Sequence, residues 1–167
     1  LKNCALAVYS SEWAASSAKS DYGAGPDKIR VAPFGANVSS HLDPGEIPKV
    51  IDSRSKETCH MLFIGADWQR KGGNKAIAIA EQLHQNGMDV KLHLVGSLPD
   101  RPAPGYVVGH GFISKDSDIG KHQLEKLLRE SHFLLLPTLA DCTPIVFSEA
   151  FSYAMPCIST NVGGIPE

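Results

Sequence analysis

The sequence predicts an α/β fold, a doubly wound parallel sheet from residue 59 onward. Three observations carry this. Short runs rich in Leu, Ile and Val stand at residues 59–64, 90–95 and 133–137 and are bounded by turn residues. Between them, apolar residues recur at helical spacing over stretches of about ten residues or more. Strand and helix alternate along the chain, the order that lays parallel strands side by side with helices on both faces.

The composition fits one core-bearing domain: 167 residues, 43% hydrophobic and 20% charged. A net charge of −2 leaves no overall basic footprint for nucleic acid. No apolar run approaches the ~18 residues that span a bilayer. Cys4, Cys59, Cys142 and Cys157 show no C-x-x-C spacing, which points to reduced thiols in a cytosolic protein. The seven histidines show no ligand spacing such as H-E-x-x-H, so no metal is expected. His93 and His110 are expected to be packed or hydrogen-bonded. The chain starts without Met and stops on Gly163-Gly164-Ile165-Pro166-Glu167, and both ends read as cuts through a longer protein.

Taken in order, residues 5–9 form a short apolar strand. Ser10 or Ser11 caps a helix to about Ser20, with Trp13, Ala14 and Ala18 on its apolar side. Residues 29–34 alternate as a strand. Residues 39–57 are polar, hold Pro44, Gly45 and Pro48, and read as a linker with one helical turn around 49–52. Strand 59–64 leads into a loop over 65–73. A helix follows at 74–86, with Ile77, Ala80 and Leu83 inward and Gly87 as its stop. Strand 90–95, a proline-bearing loop, a short strand at 106–108 and another loop come next. Helix 119–131 sets Leu124, Leu127 and Leu128 inward and Lys121, Lys126 and Arg129 outward, a solvated charged face. Strand 133–137 passes through a polar loop to Thr143-Pro144, an N-cap followed by proline at the first helical position. That helix runs to about Ala154, and strand 157–160 is last.

In such sheets ligands sit outside the carboxyl ends of the strands, so the loops there are the ones to search. The first, Gly65-Ala66-Asp67-Trp68-Gln69-Arg70-Lys71-Gly72-Gly73, brings glycines, a helix start and two cations. Its glycines admit close approach to the backbone, and Arg70 and Lys71 suit phosphate. It is neither G-x-G-x-x-G nor a Walker loop, and a solvated basic loop is an equal reading of it alone. The last, ending at Thr143-Pro144-Ile145-Val146, offers a second helix start with free N–H groups. Asp141 precedes it. Glu149 lies in its second turn among Val146, Phe147, Ala150 and Phe151, where a carboxylate needs a partner. Sugar or ribose hydroxyls suit it, as does a cation such as Lys71. Two anion-favouring helix starts and two acids together suit a nucleotide sugar, with its diphosphate between two polyhydroxyl rings.

These residues resemble the retaining glycosyltransferases of family 4, the group 1 glycosyltransferases of GT-B architecture. The resemblance rests on Asp141, seven residues, then Glu149-Ala150. It is supported in order by Val8-Tyr9-Ser10-Ser11, the run Asp27 to Asn37, Phe63-Ile64-Gly65 with Lys71-Gly72, Leu94-Val95-Gly96, Gly109-His110-Gly111-Phe112, and the glycine-rich turn Asn161 to Glu167. It covers nearly the whole chain. It implies that residues 58–167 are the Rossmann-like C-terminal donor-binding domain, incomplete at its C-terminus. Residues 38–57 would be the interdomain linker. Residues 1–37 would be the tail of an absent N-terminal acceptor domain, poorly ordered or docked in a non-native way.

The resemblance also assigns roles. Lys71 would contact the diphosphate, together with the backbone N–H groups of Ile145 and Val146. Glu149 would bond the ribose hydroxyls. Asp141, with the backbone of Cys142 and Thr143, would hold the transferred sugar. The backbone at Phe112 or Ile113 would meet the base, and Gly65 of the phosphate-binding loop and Gly96 of the next sheet-edge loop would also belong to the donor site. Transfer would retain the anomeric configuration without a metal or other cofactor, the nucleotide-diphosphate sugar being the substrate. The acceptor, a glycan, lipid or small molecule, would bind through the N-terminal domain. Family members often work at the cytosolic face of the inner membrane, which would make the full-length protein cytoplasmic or peripherally membrane-associated.

This sequence departs from the family at three places. Ala66 stands where Arg is usual, with Arg70 nearby as a substitute charge. Asp141 stands where Glu is usual, and Cys142-Thr143-Pro144 replaces Gly-Phe-Gly. Two other readings share the architecture: a nucleotide-sugar epimerase or phosphorylase-like enzyme, and a non-catalytic binding domain, the latter favoured by Ala66 and Asp141.

Overall fold

The structure, a computed structural model, describes residues 3–38 and 42–167. The parts of the expected tail and linker at 1–2 and 39–41 lie outside the described residues. In chain order the elements are β1 (Ala7–Tyr9), α1 (Glu12–Ser20), β2 (Ile29–Val31), α2 (Ile47–Ser53), β3 (Cys59–Gly65), α3 (Trp68–Lys71), α4 (Gly73–Gln85), β4 (Val90–Gly96), β5 (Val107–Gly111), α5 (Asp118–Glu130), β6 (Phe133–Leu136), α6 (Ile145–Phe151) and β7 (Cys157–Ser159).

Five of the strands make one parallel sheet in the order β5-β4-β3-β6-β7. The chain winds outward from β3 through β4 to β5, then returns to the far side of β3 as β6. The order reverses between β3 and β6, and at such a switch point the loops leaving two neighbouring strands diverge and open a cleft. The pleat divides the core. Met61, Phe63, Leu92 and Leu94 face α4, where Ala76 and Ala80 let the helix lie close. Leu62, Val95 and Leu134 face α5, whose Leu124, Leu127 and Leu128 cover them. Ser117 caps α5 by accepting from the Gly120 N–H at 3.1 Å, as Ser commonly does at a helix start.

The expected linker is more structured than a single turn. α2 spans seven residues and buries Val50 against the α5 side of the core. After it, buried Arg54 donates to the carbonyls of Arg129, Tyr153 and Ala154 at 3.2, 2.8 and 3.0 Å. Those carbonyls end α5 and the turn after α6, where no intrahelical donor remains. The same turn stops α6 at Phe151, short of the expected 154, and carries Ala154 at φ 52°.

Residues 3–38 stay out of the large sheet but are not shapeless. β1 and β2 pair in parallel as a two-stranded sheet, with α1 packed on it through Ala15 and Ala18. β2 ends at Val31, earlier than the alternation to Phe34 suggests.

A histidine chain crosses the α5 side of the sheet. His60, His93 and His110 stack at 5.2 Å between successive ring centroids. His60 Nδ1 lies 2.9 Å from His93 Nε2, and His93 Nδ1 lies 3.0 Å from His110 Nε2. The β4–β5 register pairs Leu94 with Gly109 and Val95 with Gly111, skipping His110, so this residue bulges. The expectation that His93 and His110 are hydrogen-bonded holds.

Candidate functional site

The two loops at the switch point are laced together, and glycine makes this possible. Gly72 adopts φ 81°, and a Cβ there would stand 2.1 Å from the Pro137 carbonyl oxygen. With that contact open, the Arg70 carbonyl accepts from the Leu139 N–H at 2.7 Å and from the Thr138 hydroxyl at 2.8 Å. The loop after β3 thus lies on the loop after β6. Lys71 Nζ consequently reaches Asp141 Oδ2 in a direct ion pair. Arg70 stands behind it, 3.7 Å from the same oxygen, donating to the Ala140 carbonyl at 3.1 Å. No spacing in the sequence pairs Lys71 with Asp141 rather than with Glu149.

The first loop departs from expectation in its local structure. Residues 68–71 form the short helix α3, capped by Asp67, which accepts from the Arg70 N–H at 3.0 Å. That backbone bond, with the Arg70 guanidinium, holds the Asp67 carboxyl below the usual range. α4 starts at Gly73, one residue earlier than expected, and Gly73 is buried against the Trp68 ring. The loop presents its cations from α3, ahead of the α4 start.

The second helix start is also displaced by one residue. Pro144 is the N-cap of α6 and has no side-chain capping bond. Thr143, expected as the cap, donates its hydroxyl to Ser10 Oγ at 2.8 Å. Ile145 and Val146 occupy the first turn of α6, where N–H groups lack an intrahelical partner. Cys142 Sγ lies 3.3 Å from Ser11 Oγ and 3.7 Å from Ser10 Oγ, and the Ser11 contact draws the thiol pKa down.

Glu149 is 1% exposed, and its partner is a residue the sequence did not flag. Lys115 Nζ, from the loop after β5, pairs with Oε1 and also donates to the Asn37 carbonyl at 3.3 Å. Oε2 is buried with no hydrogen-bond partner among the described residues. No spacing links two residues 34 positions apart in different loops. The one available signal was the rule that a carboxylate in an apolar helix turn needs a cation.

Beside this pair lies a cavity of about 310 Å³ lined by Gly65, Gly96, Phe112, Ile113, Lys115 and neighbouring residues. Gly65, Gly96, Phe112 and Ile113 thus share one wall. Gly96 has φ 98°, and a Cβ on it would meet the Gly65 carbonyl oxygen at 2.3 Å, so β3 and β4 end in close contact there. Phe112 is 83% exposed, free to cover a planar ligand, whereas Ile113 is buried. Among the described residues no group of His, Cys, Asp and Glu could hold a metal ion, and all four cysteines are free thiols.

A cleft between two strand ends, with paired cations and acids on its rim and an apolar cavity beside it, sits on a fold shared with GT-B glycosyltransferases. The lipopolysaccharide glycosyltransferase WaaG superposes with a TM-score of 0.67 at 20% identity, covering 94% of this chain and 44% of WaaG. HepE of Anabaena, solved with UDP and glucose, gives 0.65 at 16% identity, covering 97% and 46%.

The sequence places the chain more narrowly. Residues 58–167 match the family described as "Glycosyl transferases group 1", and the chain belongs to that family. A relative from Escherichia coli K12, named as the colanic acid biosynthesis glycosyl transferase WcaC, is 24% identical over 137 residues, which are 82% of this chain and 32% of WcaC. The chain therefore spans about a third of that relative and under half of the solved structures it matches. No helix among the described residues is long and apolar enough to cross a membrane.

Proposed function

We propose that this chain is the donor-binding half of a retaining glycosyltransferase that moves a sugar from a nucleoside diphosphate to an acceptor hydroxyl. The observation that carries this reading is the convergence of Lys71 with Asp141 across the switch point, next to the cavity walled by Gly65, Gly96, Phe112 and Ile113. The base fits that cavity, against the backbone of Phe112 and Ile113. Glu149 receives ribose hydroxyls at the carboxylate oxygen that has no hydrogen-bond partner among the described residues. The diphosphate lies between Lys71, Arg70 and the first turn of α6, and the transferred sugar lies by Asp141, Cys142 and Thr143.

The chemistry follows from charge. The bond from the anomeric carbon to the phosphate oxygen breaks, and its electron pair leaves with the nucleoside diphosphate. Lys71, Arg70 and the Ile145 and Val146 N–H groups meet the developing negative charge. The acceptor oxygen bonds to the same face of the anomeric carbon and passes its proton to the departing phosphate oxygen. No step in this scheme calls on a metal. In this proposal the acceptor, a glycan, lipid or small molecule, binds a further N-terminal domain to which residues 1–37 belong. The enzyme works in the cytoplasm, with the inner membrane face as a site for lipid-linked acceptors. The epimerase and phosphorylase-like readings gain nothing from the family match. Calorimetric titration of the full-length enzyme with UDP- and GDP-sugars tests the proposal: binding of one class in the micromolar to millimolar range is expected, and no binding of any nucleotide sugar ends it.

A further inference from the structure

The glycine-rich turn at residues 161–167 has no part in the site described so far, yet it joins the loop after β6 to the start of α1. Gly163 adopts φ 60°, and a Cβ on it would lie 2.0 Å from the Asp141 carbonyl oxygen. A Cβ on Gly164 would lie 2.2 Å from the Cys142 carbonyl oxygen and 2.8 Å from Ser11 Oγ. The Gly164 N–H donates to the Asp141 carbonyl at 3.2 Å. The turn therefore lies flat on the backbone of the acid loop, and only glycine admits that approach.

Three residues further on, Glu167 reaches a different element. Its two carboxylate oxygens accept from the backbone N–H groups of Glu12 and Trp13, one each. These are the first two residues of α1, whose N–H groups have no partner inside the helix. Ser11, the N-cap of α1, already accepts from the Ala14 N–H at 3.2 Å. Glu167 thus completes the cap from outside. A carboxylate there gains both from charge-assisted hydrogen bonds and from the positive end of the helix. Glu12 stands in the same turn as a second negative charge, so α1 does not lack acidity of its own. What Glu167 adds is a tie between two parts of the chain that the large sheet does not connect.

The tie has a geometric result. With α1 held, Ser10 and Ser11 meet Thr143 and Cys142, the residues next to Asp141. We infer that Glu167 is a positioning residue. It clamps the β1-α1-β2 unit onto the loop 141–143 and so fixes the acid that faces the transferred sugar. The last clause rests on the donor-half reading above; the clamp itself does not.

Two measurements on the chain as it stands test this, each with Glu167→Gln, Glu167→Ala and Glu167→Asp. The first is amide hydrogen exchange. Loss of the charged cap is expected to speed exchange at Glu12 and Trp13 by about tenfold or more, and exchange in the loop 139–144 with it, while β3 and β4 stay protected. Glu167→Asp is expected to restore part of the protection. Unchanged exchange in the first turn of α1, or a rise confined to α1 that spares the loop, overturns the clamp. The second compares affinity for UDP with affinity for UDP-glucose. Glu167→Gln is expected to keep the affinity for UDP and lose the increment that the sugar contributes. Equal loss for both ligands overturns the positioning role. If the unsubstituted chain binds neither ligand, the exchange result alone decides the clamp, and titration of the full-length enzyme decides the donor-half reading.

Discussion

The two acids of the cleft are neutralised in different ways. Asp141 sits at a seam between loops, its carboxylate shared by Lys71 and, at longer range, by Arg70, which is 45% exposed. Glu149 sits in the wall of the core, held by one lysine, with its second oxygen unpartnered among the described residues. The first arrangement can exchange partners: Lys71 pairs with Asp141, Arg70 is shared between Asp141 and Asp67, and an arriving phosphate competes for both cations. The second cannot give up its cation without stranding a buried charge. The cleft thus has an adaptable end and a fixed end. The fixed end adjoins the cavity assigned to the nucleoside, and the adaptable end is where charge changes during transfer.

The largest effect should come from the fixed end. Lys115→Met is expected to lower stability by about 2 kcal/mol, less than the roughly 3–5 kcal/mol of a fully buried pair, because Lys115 is 36% exposed. Thermal melts should show a fall of about 4–8 °C for a chain of this size. Adding Glu149→Gln should recover most of it; a double variant as weak as the sum of the two singles would remove the contrast. At the adaptable end, Lys71→Met leaves Arg70 within 3.7 Å of Asp141, so it is expected to lower the melt less than Lys115→Met does, and to weaken UDP binding by about tenfold, with a flatter salt dependence. Arg70→Gln should be the smallest, about threefold or less in affinity, since its guanidinium is largely solvated. If Arg70→Gln costs more than Lys71→Met, the guanidinium rather than the ammonium is the principal phosphate ligand, as the Ala66 departure would suggest.

Much of this was legible in the sequence from residue 59 onward, because a parallel sheet buried on both faces writes itself as short apolar runs between periodic helices. β3, β4, β6, α4 and α5 fall within a residue or two of expectation. What escaped depends on contacts between distant loops. The helical turn α3 forms because Asp67 caps it locally, but the lacing through Gly72 and Pro137 that sets its direction carries no sequence period. Thr143 had the right chemistry for an N-cap and spends it on Ser10, 133 positions away. Lys115 was invisible because a lone lysine in a loop is ordinary until its partner is known. The strands of residues 3–38 were read singly, and their parallel pairing, like the clamp through Glu167, required the fold.

The histidine chain has a consequence of counting. Each of its two N···N contacts holds one proton, and three neutral rings carry three, so a single proton is left for an outer nitrogen, His60 Nε2 or His110 Nδ1. The tautomers of all three rings are therefore one choice rather than three. A first extra proton fills the vacant end and breaks nothing. A second sets two N–H groups against each other and opens a contact. Burial, reinforced by the neighbouring His110, His60 and Lys91, pushes the central His93 down to about 4. The unfolded chain takes up that proton first, so stability should fall as pH drops below the ordinary histidine value of ~6.5 and level off below about 4. His93→Leu should flatten this slope in melts across that window. Between those limits the rings of β3, β4 and β5 act as one titrating object, and ¹⁵N spectra should show His60 and His110 exchanging tautomers in step.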